Sequence, residues 1–349
     1  MVIQHQSYDA FEQWLKSLLR QKRIPLTGMM ELTPRCNFRC AHCYMGQLRD
    51  DSPQMDTAFI QSLLPQIAQA GCLALSFTGG EPLLRRDYKE IHATAHRLGF
   101  WINLMTNGAL VDARLIQFLK SHPPRAVEVS LYGGNEQSYQ ALTGVAGAFA
   151  KVTQNVDAML DAGLNVILKS VLLRPIWESI DEMKAFAAER HLEMLFDAGV
   201  TPDLMADFSP TELRLAPGCA VAIELDSEKK KRLLGDYHHK HMENQGTPLG
   251  FACDAGRRGF HIDYRGNLLA CLMLREPAFS LTEYSFADAW QLLGQSAPPR
   301  FPPNARCNHC ELLHLCGFCP GAVSSGEALP ETEDFFYCKV ARARRRILE

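Results

Sequence analysis

The 349-residue sequence contains no apolar run near the roughly 20 residues of a membrane span. Its first twenty residues, MVIQHQSYDAFEQWLKSLLR, are polar and lack the continuous apolar stretch of a secretory signal. It also lacks an excess of either charge: 36 basic and 39 acidic side chains leave a net charge of −3. That balance argues against a strongly basic nucleic-acid binder and against long acidic tails. No internal repeat is visible. With 47% hydrophobic and 21% charged residues, the chain reads as a globular cytoplasmic protein of two or three domains.

Cysteine is what the sequence has in surplus. There are 12, at positions 36, 40, 43, 72, 219, 253, 271, 307, 310, 316, 319 and 338. In a reducing compartment, clustered thiols of this kind point to metal rather than to disulfides.

Residues 1–27 open with an amphipathic pattern, Phe11, Trp14, Leu15, Leu18 and Leu19 at helical spacing. From there strands and helices alternate. Strands are expected at 28–33, 73–78, 100–105, 126–130, 165–170 and 193–198. Helices are expected around 56–70, 87–98, 112–120, 148–162 and 179–190, with Asp56, Asp87 and Asp112 as N-caps. Six such units predict an α/β fold with a parallel sheet, open or curled into a partial barrel, whose ligands sit at the carboxyl ends of the strands. The core is expected to span 28–205, a linker region 206–250, and a cysteine-rich unit 251–349.

Cys36, Cys40 and Cys43 form C-x3-C-x2-C on one loop. Three thiolates there can hold three corners of a [4Fe–4S] cube and leave one iron without a protein ligand. Zinc is the rival, but its structural sites take four ligands at other spacings. After the second strand, Gly79 and Gly80 lack a Cβ and permit close approach of a ligand, and Glu81 can accept a charge-assisted hydrogen bond.

The run ELTPRCNFRCAHCY, followed by TGGEP, resembles the signature of the radical S-adenosylmethionine (SAM) enzymes. The resemblance implies that the open iron chelates SAM, which is cleaved to a 5′-deoxyadenosyl radical that abstracts hydrogen. It implies that His42 lies near the adenine, and that Gly79, Gly80 and Glu81 hold the methionine amino group. Asn107 in TNG and Ser130 in SLYG are further candidates for SAM contacts. Two positions depart from the pattern. Tyr132 stands where relatives often have Asp, and Thr143 stands before Gly144 where they often have Arg. Lys169 and Arg174 are the alternative cations.

The later cysteines resemble the C-terminal SPASM domain of peptide-modifying members of that family. Cys253, Gly266 and Cys271, then Cys307-x2-Cys310-x5-Cys316-x2-Cys319, then Cys338 match the domain's pattern, with x2 in place of x3 before Cys319. The resemblance implies two auxiliary [4Fe–4S] clusters, one on Cys307, Cys310, Cys316 and Cys338, the other on Cys253, Cys271 and Cys319. The second set is one thiolate short, which leaves an open iron or a role for Cys219. A zinc ribbon on Cys307–Cys319 is the rival.

Several residues read more plainly. Cys72 is expected in the core. His238, His239 and His241 are expected in a solvated loop, and ARARRR in a solvated helix end. Asp197 either meets substrate or SAM, or caps a turn. The catalytic residue that would meet the substrate is not legible. The reaction implied is oxidative modification of a ribosomally made peptide: a thioether or carbon–carbon crosslink, or a side-chain oxidation. Leu272, where sulfatase-type maturases carry Asp, points away from that subclass. The alternative is oxidation of a small molecule such as a sugar, nucleoside or tetrapyrrole. Nothing in the chain resembles an appended leader-binding domain, so beside the peptide either a separate leader-binding protein or a direct interaction with the substrate is expected. An electron donor such as flavodoxin or ferredoxin is expected too, with no nucleic acid and no membrane.

Overall fold

The computed structural model describes residues 22–46, 53–243, 255–296, 305–318, 320–330, 332 and 334–349, the side chains of 240–243 and 320 apart. Most of the expected N-terminal helix, Cys253, Cys319 and the side chain of His241 lie outside the described residues.

Nine strands form one sheet in the order β6-β5-β4-β3-β2-β1-β7-β8-β9. The first six are β1 (Thr27–Glu31), β2 (Ala74–Thr78), β3 (Trp101–Thr106), β4 (Ala126–Ser130), β5 (Val166–Val171) and β6 (Glu193–Asp197), each within two residues of its expected place. All are parallel and neighbour each other in sequence order. Right-handed crossovers between successive neighbours put every helix on the same side, the arrangement of a barrel wall. Leu75, Phe77, Ile102, Leu104, Val127, Val129 and Leu168 pack in the main core, which also takes Ile60, Leu63, Leu64 and Ile67 from the Thr57–Gln69 helix. With a side-chain period of two, Glu31, Ser76, Asn103, Glu128, Ser130 and Lys169 are left on the other face.

The remaining strands are β7 (Gly259–Ile262), β8 (Asn267–Leu269) and β9 (Phe279–Ser280). β7 runs parallel beside β1, with Met29 opposite His261. A Cβ on Gly28 would lie 2.2 Å from the Phe260 ring, so glycine lets that ring lie over β1.

Asp56 and Asp112 cap their helices, accepting from Phe59 N and Leu115 N, each at 2.7 Å. Asp87 does not. Its carboxylate is taken by Arg85, Nε at 2.9 Å, and by the Thr57 hydroxyl, because a guanidinium two residues away outcompetes the helix N–H groups. Between β4 and the Ala148–Asp161 helix lies an unexpected helix, Glu136–Thr143, opened by an Asn135–Ser138 capping box. The polar stretch with His238 and His239, helix-like in its pattern, is the helix Glu228–Glu243, so these histidines sit on a helix rather than in a solvated loop. There His238 stacks on His314, with ring centroids 4.9 Å apart and Nδ1 2.6 Å from Nε2. The terminal helix Phe336–Leu348 is not wholly solvated: Arg344 turns inward to Glu224 at 2.8 Å and to the Leu315 carbonyl at 2.7 Å. Among the described residues, no helix is long and apolar enough to cross a membrane.

Candidate active site

The loop bearing Cys36, Cys40 and Cys43 follows β1 and hangs from its neighbours by backbone hydrogen bonds. Leu32 N donates to Thr78 O at 2.8 Å, Gly80 N to Thr33 O at 2.8 Å, and Glu81 N to Arg35 O at 2.7 Å. On the other side, Arg39 N and Ala41 N donate to the carbonyls of Thr143 and Leu142, at 2.8 and 3.0 Å. Thr143 therefore serves the loop through its carbonyl.

Those bonds account for the two glycines. A Cβ on Gly80 would stand 2.2 Å from the Arg35 carbonyl oxygen; one on Gly79, at φ +135°, would stand 2.3 Å from that of Thr33. The close approach is made by the cysteine loop itself.

Glu81 is fully buried. Its Oε1 accepts from the Thr106 hydroxyl at 2.8 Å and Leu83 N at 3.1 Å, and its Oε2 from Asn107 N at 2.7 Å. Burial pushes its carboxyl up to about 7, against the pull of those donors. Of the roughly four lone-pair positions on a carboxylate, three are used.

Asn107 faces the cysteine loop. Its Nδ2 donates to Asn37 Oδ1 at 2.7 Å and reaches Cys36 Sγ at 3.9 Å. His42 sets its ring edge-on against Tyr132, with centroids 4.7 Å apart. Tyr132 is the residue that sequence reasoning noted only as a departure. Its hydroxyl is pushed upward by burial and then by the charges of Cys40, Cys43 and Cys36, and the Ser130 side chain opposes that through a hydrogen bond. One phenol thus feels all three cysteines.

The other candidates separate. Lys169 pairs with Glu128 across β4 and β5. Arg174 donates to the Glu212 carbonyl. Asp197 accepts from Gly199 N at 2.7 Å, the turn-capping alternative. Cys72 is buried, with its thiol pushed up to about 12 by desolvation, as a core residue should be. Cys219 lies on the Pro217–Glu224 helix.

In the C-terminal region, Cys307, Cys310, Cys316 and Cys338 line one cavity of about 100 Å³, closed by Phe318, Phe335 and Arg342. Cys316 is pushed up to about 12, first by burial and then by the other three cysteines. Among the described residues, no three His, Cys, Asp or Glu side chains are grouped for a single metal ion. Cys36, Cys271 and Cys316 each accept a backbone N–H two residues on, from Phe38 at 3.4 Å, Met273 at 3.2 Å and Phe318 at 3.4 Å. Such N–H groups favour sulfur as thiolate.

Residues 30–187 match the Radical SAM superfamily. The chain is 32% identical over 287 residues to the PqqA peptide cyclase of Xanthomonas euvesicatoria pv. vesicatoria (strain 85-10), covering 76% of this chain and 74% of that protein. It is 26% identical over 314 residues to the mycofactocin maturase MftC of Mycobacterium ulcerans (strain Agy99), covering 85% and 84%. Two solved structures share the fold. Streptococcus suis SuiB bound to precursor peptide SuiA superposes with a TM-score of 0.69 at 17% identity, over 96% of this chain and 81% of that one. Native anSMEcpe with bound AdoMet gives 0.72 at 16% identity, over 93% and 96%. The chain belongs to the radical SAM superfamily.

Proposed function

We propose that this protein is a peptide maturase that oxidatively modifies a ribosomally synthesised precursor by radical chemistry. The observation that carries the reading is the relationship to a peptide cyclase across about three quarters of both chains. Cys36, Cys40 and Cys43 would hold a [4Fe–4S] cluster, which together with SAM would supply the hydrogen-abstracting radical chemistry. Glu81 receives the amino group of SAM on its remaining lone pair, and Gly79 and Gly80 keep that pocket against the cysteine loop. Asn107 and His42 border the same pocket, with Ser130 acting through Tyr132. Residues 251–349 form a SPASM domain. There Cys307, Cys310, Cys316 and Cys338 hold one auxiliary cluster, and Cys253, Cys271 and Cys319 hold the other, with Cys219 as the candidate fourth ligand. Flavodoxin or ferredoxin supplies electrons, a separate protein presents the leader, and the setting is the reducing cytoplasm.

The test is anaerobic turnover with a short peptide encoded next to this gene. The expected result is 5′-deoxyadenosine together with a peptide lighter by about two hydrogens, as a two-electron oxidation requires. An unmodified peptide, with a sugar, nucleoside or tetrapyrrole oxidised in its place, would overturn the reading.

A further inference from the structure

A buried ionic cluster sits under the cysteine loop, where Glu31 and Tyr44, the two ends of the run ELTPRCNFRCAHCY, meet His261 and Arg275 from far along the chain. Glu31 ends β1 and is fully buried. Its Oε1 receives the Tyr44 hydroxyl at 3.1 Å and Arg275 Nη2 at 2.8 Å, and lies 3.2 Å from His261 Nε2. Its Oε2 receives Arg275 Nη1 at 3.4 Å. Burial opposes ionisation of this carboxyl, yet His261 and Arg275 hold it down at about 2.

The three partners come from three segments. Tyr44 follows Cys43. His261 lies in β7. Arg275 follows the turn in which Cys271 bridges Leu274. One carboxylate oxygen therefore bonds both to the loop of the triad and to the turn of Cys271, across 244 residues of sequence. An apolar contact could cover the same surface at less desolvation cost, so a buried ion pair is a poor means of adding stability. What it adds is direction. A guanidinium fork on a carboxylate fixes both distance and angle, and the phenol hydroxyl fixes the second loop to the same atom.

We propose that Glu31 is a positioning residue that holds the Cys43 loop and the Cys271 turn in one frame. This rests on the reading above that Cys271 holds an auxiliary cluster. In a crosslinking oxidation the substrate C–H gives a hydrogen atom to the 5′-deoxyadenosyl radical. For that oxidation to balance, a one-electron acceptor is needed, which an oxidised iron–sulfur cluster held in part by Cys271 would supply, with the partner group's proton going to solvent as the new bond forms. The frame sets the separation between the place where the radical forms and the place where the electron leaves.

The experiment is hydrogen–deuterium exchange and turnover on the reconstituted holoenzyme and on Arg275→Met, Arg275→Lys and Tyr44→Phe. In Arg275→Met, with iron content at the wild-type level, exchange should rise at both 44–46 and 272–275. 5′-Deoxyadenosine should still form, with product per 5′-deoxyadenosine falling about 10- to 100-fold, the usual cost of an ångström-scale misplacement. Arg275→Lys keeps the charge without the fork and should recover part of that ratio. Tyr44→Phe removes one oxygen and keeps the ring; it should raise exchange at 44–46 alone. Faster exchange confined to 272–275 in Arg275→Met, or a wild-type product ratio with iron retained, would overturn the proposal. If the peptide is not the substrate, wild type itself gives no product, while the exchange measurements still read the joint.

Discussion

Replacing Gly80 by alanine tests whether the glycine pair serves the cysteine loop. The new Cβ would meet the Arg35 carbonyl oxygen at 2.2 Å, and Arg35 C and Pro34 O at 2.6 Å. All three atoms are backbone, so no side chain can rotate away, and relief requires Pro34 and Arg35 to move by about 1 Å to reach van der Waals contact. That shift lengthens two hydrogen bonds, Gly80 N to Thr33 O at 2.8 Å and Glu81 N to Arg35 O at 2.7 Å. Overpacking costs about 1–3 kcal/mol and each weakened bond about 1, so the loss is about 3–5 kcal/mol. With a urea slope of about 3 kcal/mol per M, the midpoint should fall by about 1 to 1.7 M. Because Cys36 follows Arg35 directly, about four iron atoms should be lost on reconstitution. Gly218 provides the control: a Cβ there meets nothing within 4 Å, and alanine in that helix should be neutral or stabilising by up to about 1 kcal/mol. A wild-type midpoint and full iron content in Gly80→Ala would refute the account.

Wild-type protein reconstituted without oxygen should hold about 12 Fe, and Ala at Cys36, Cys40 and Cys43 together should remove about four and abolish 5′-deoxyadenosine formation. Continued SAM cleavage in that variant would end the assignment. Glu81→Gln should weaken SAM binding about 10- to 100-fold, the equivalent of one charge-assisted hydrogen bond, as read by equilibrium binding. Because Glu81 is raised from 4.5 to about 7 in the folded state, wild-type stability should decline as pH rises through 4.5 to 7. The gap to Glu81→Gln should therefore narrow between pH 5 and 8, as measured by urea unfolding. Glu31 carries the opposite sign. It is lowered from 4.5 to about 2, so its contribution of about 3 kcal/mol is complete above 4.5 and is lost only as pH falls toward 2. The stability gap between wild type and Glu31→Gln should shrink as pH falls from about 4.5 toward 2; a gap that persists down to pH 2 would refute the assignment. Cys271→Ala should leave SAM cleavage running but uncoupled from oxidised product, and Cys219→Ala should match it only if Cys219 is a ligand.

The strands of the barrel wall were legible because each is a short apolar run closed by a turn, and the triad because its spacing is local. What escaped depends on contacts between distant segments. Glu31 reads as the polar end of a strand until His261 and Arg275 are brought to it by β7 and the turn beyond β8. Tyr132 reads as a substitution in a turn until its ring is seen edge-on to His42, within the electrostatic reach of Cys40. Asp87 has the right place for a cap, and only the geometry of Arg85 shows where its carboxylate goes. The helix Glu136–Thr143 was missed because its buried residues, Tyr139, Leu142 and Thr143, give too short an apolar pattern to separate from a loop.

The pairing of β1 with β7 has a consequence in time. During synthesis the chain needs about 230 further residues after Glu31 before Ile262 emerges, on the order of 10–50 s at ribosomal speed. Throughout that interval one edge of β1 stands unpaired, beside a loop of three reactive thiols. Glu31 then has neither His261 nor Arg275, so the nascent triad occupies a softer setting than the finished one. Iron arriving early would meet thiols whose loop is not yet fastened to the rest of the site, whereas iron arriving after β7 docks would meet the completed frame. The order of translation therefore completes this frame only after most of the chain has been made, and places the exposed edge of β1 among the surfaces a chaperone would be called on to shield.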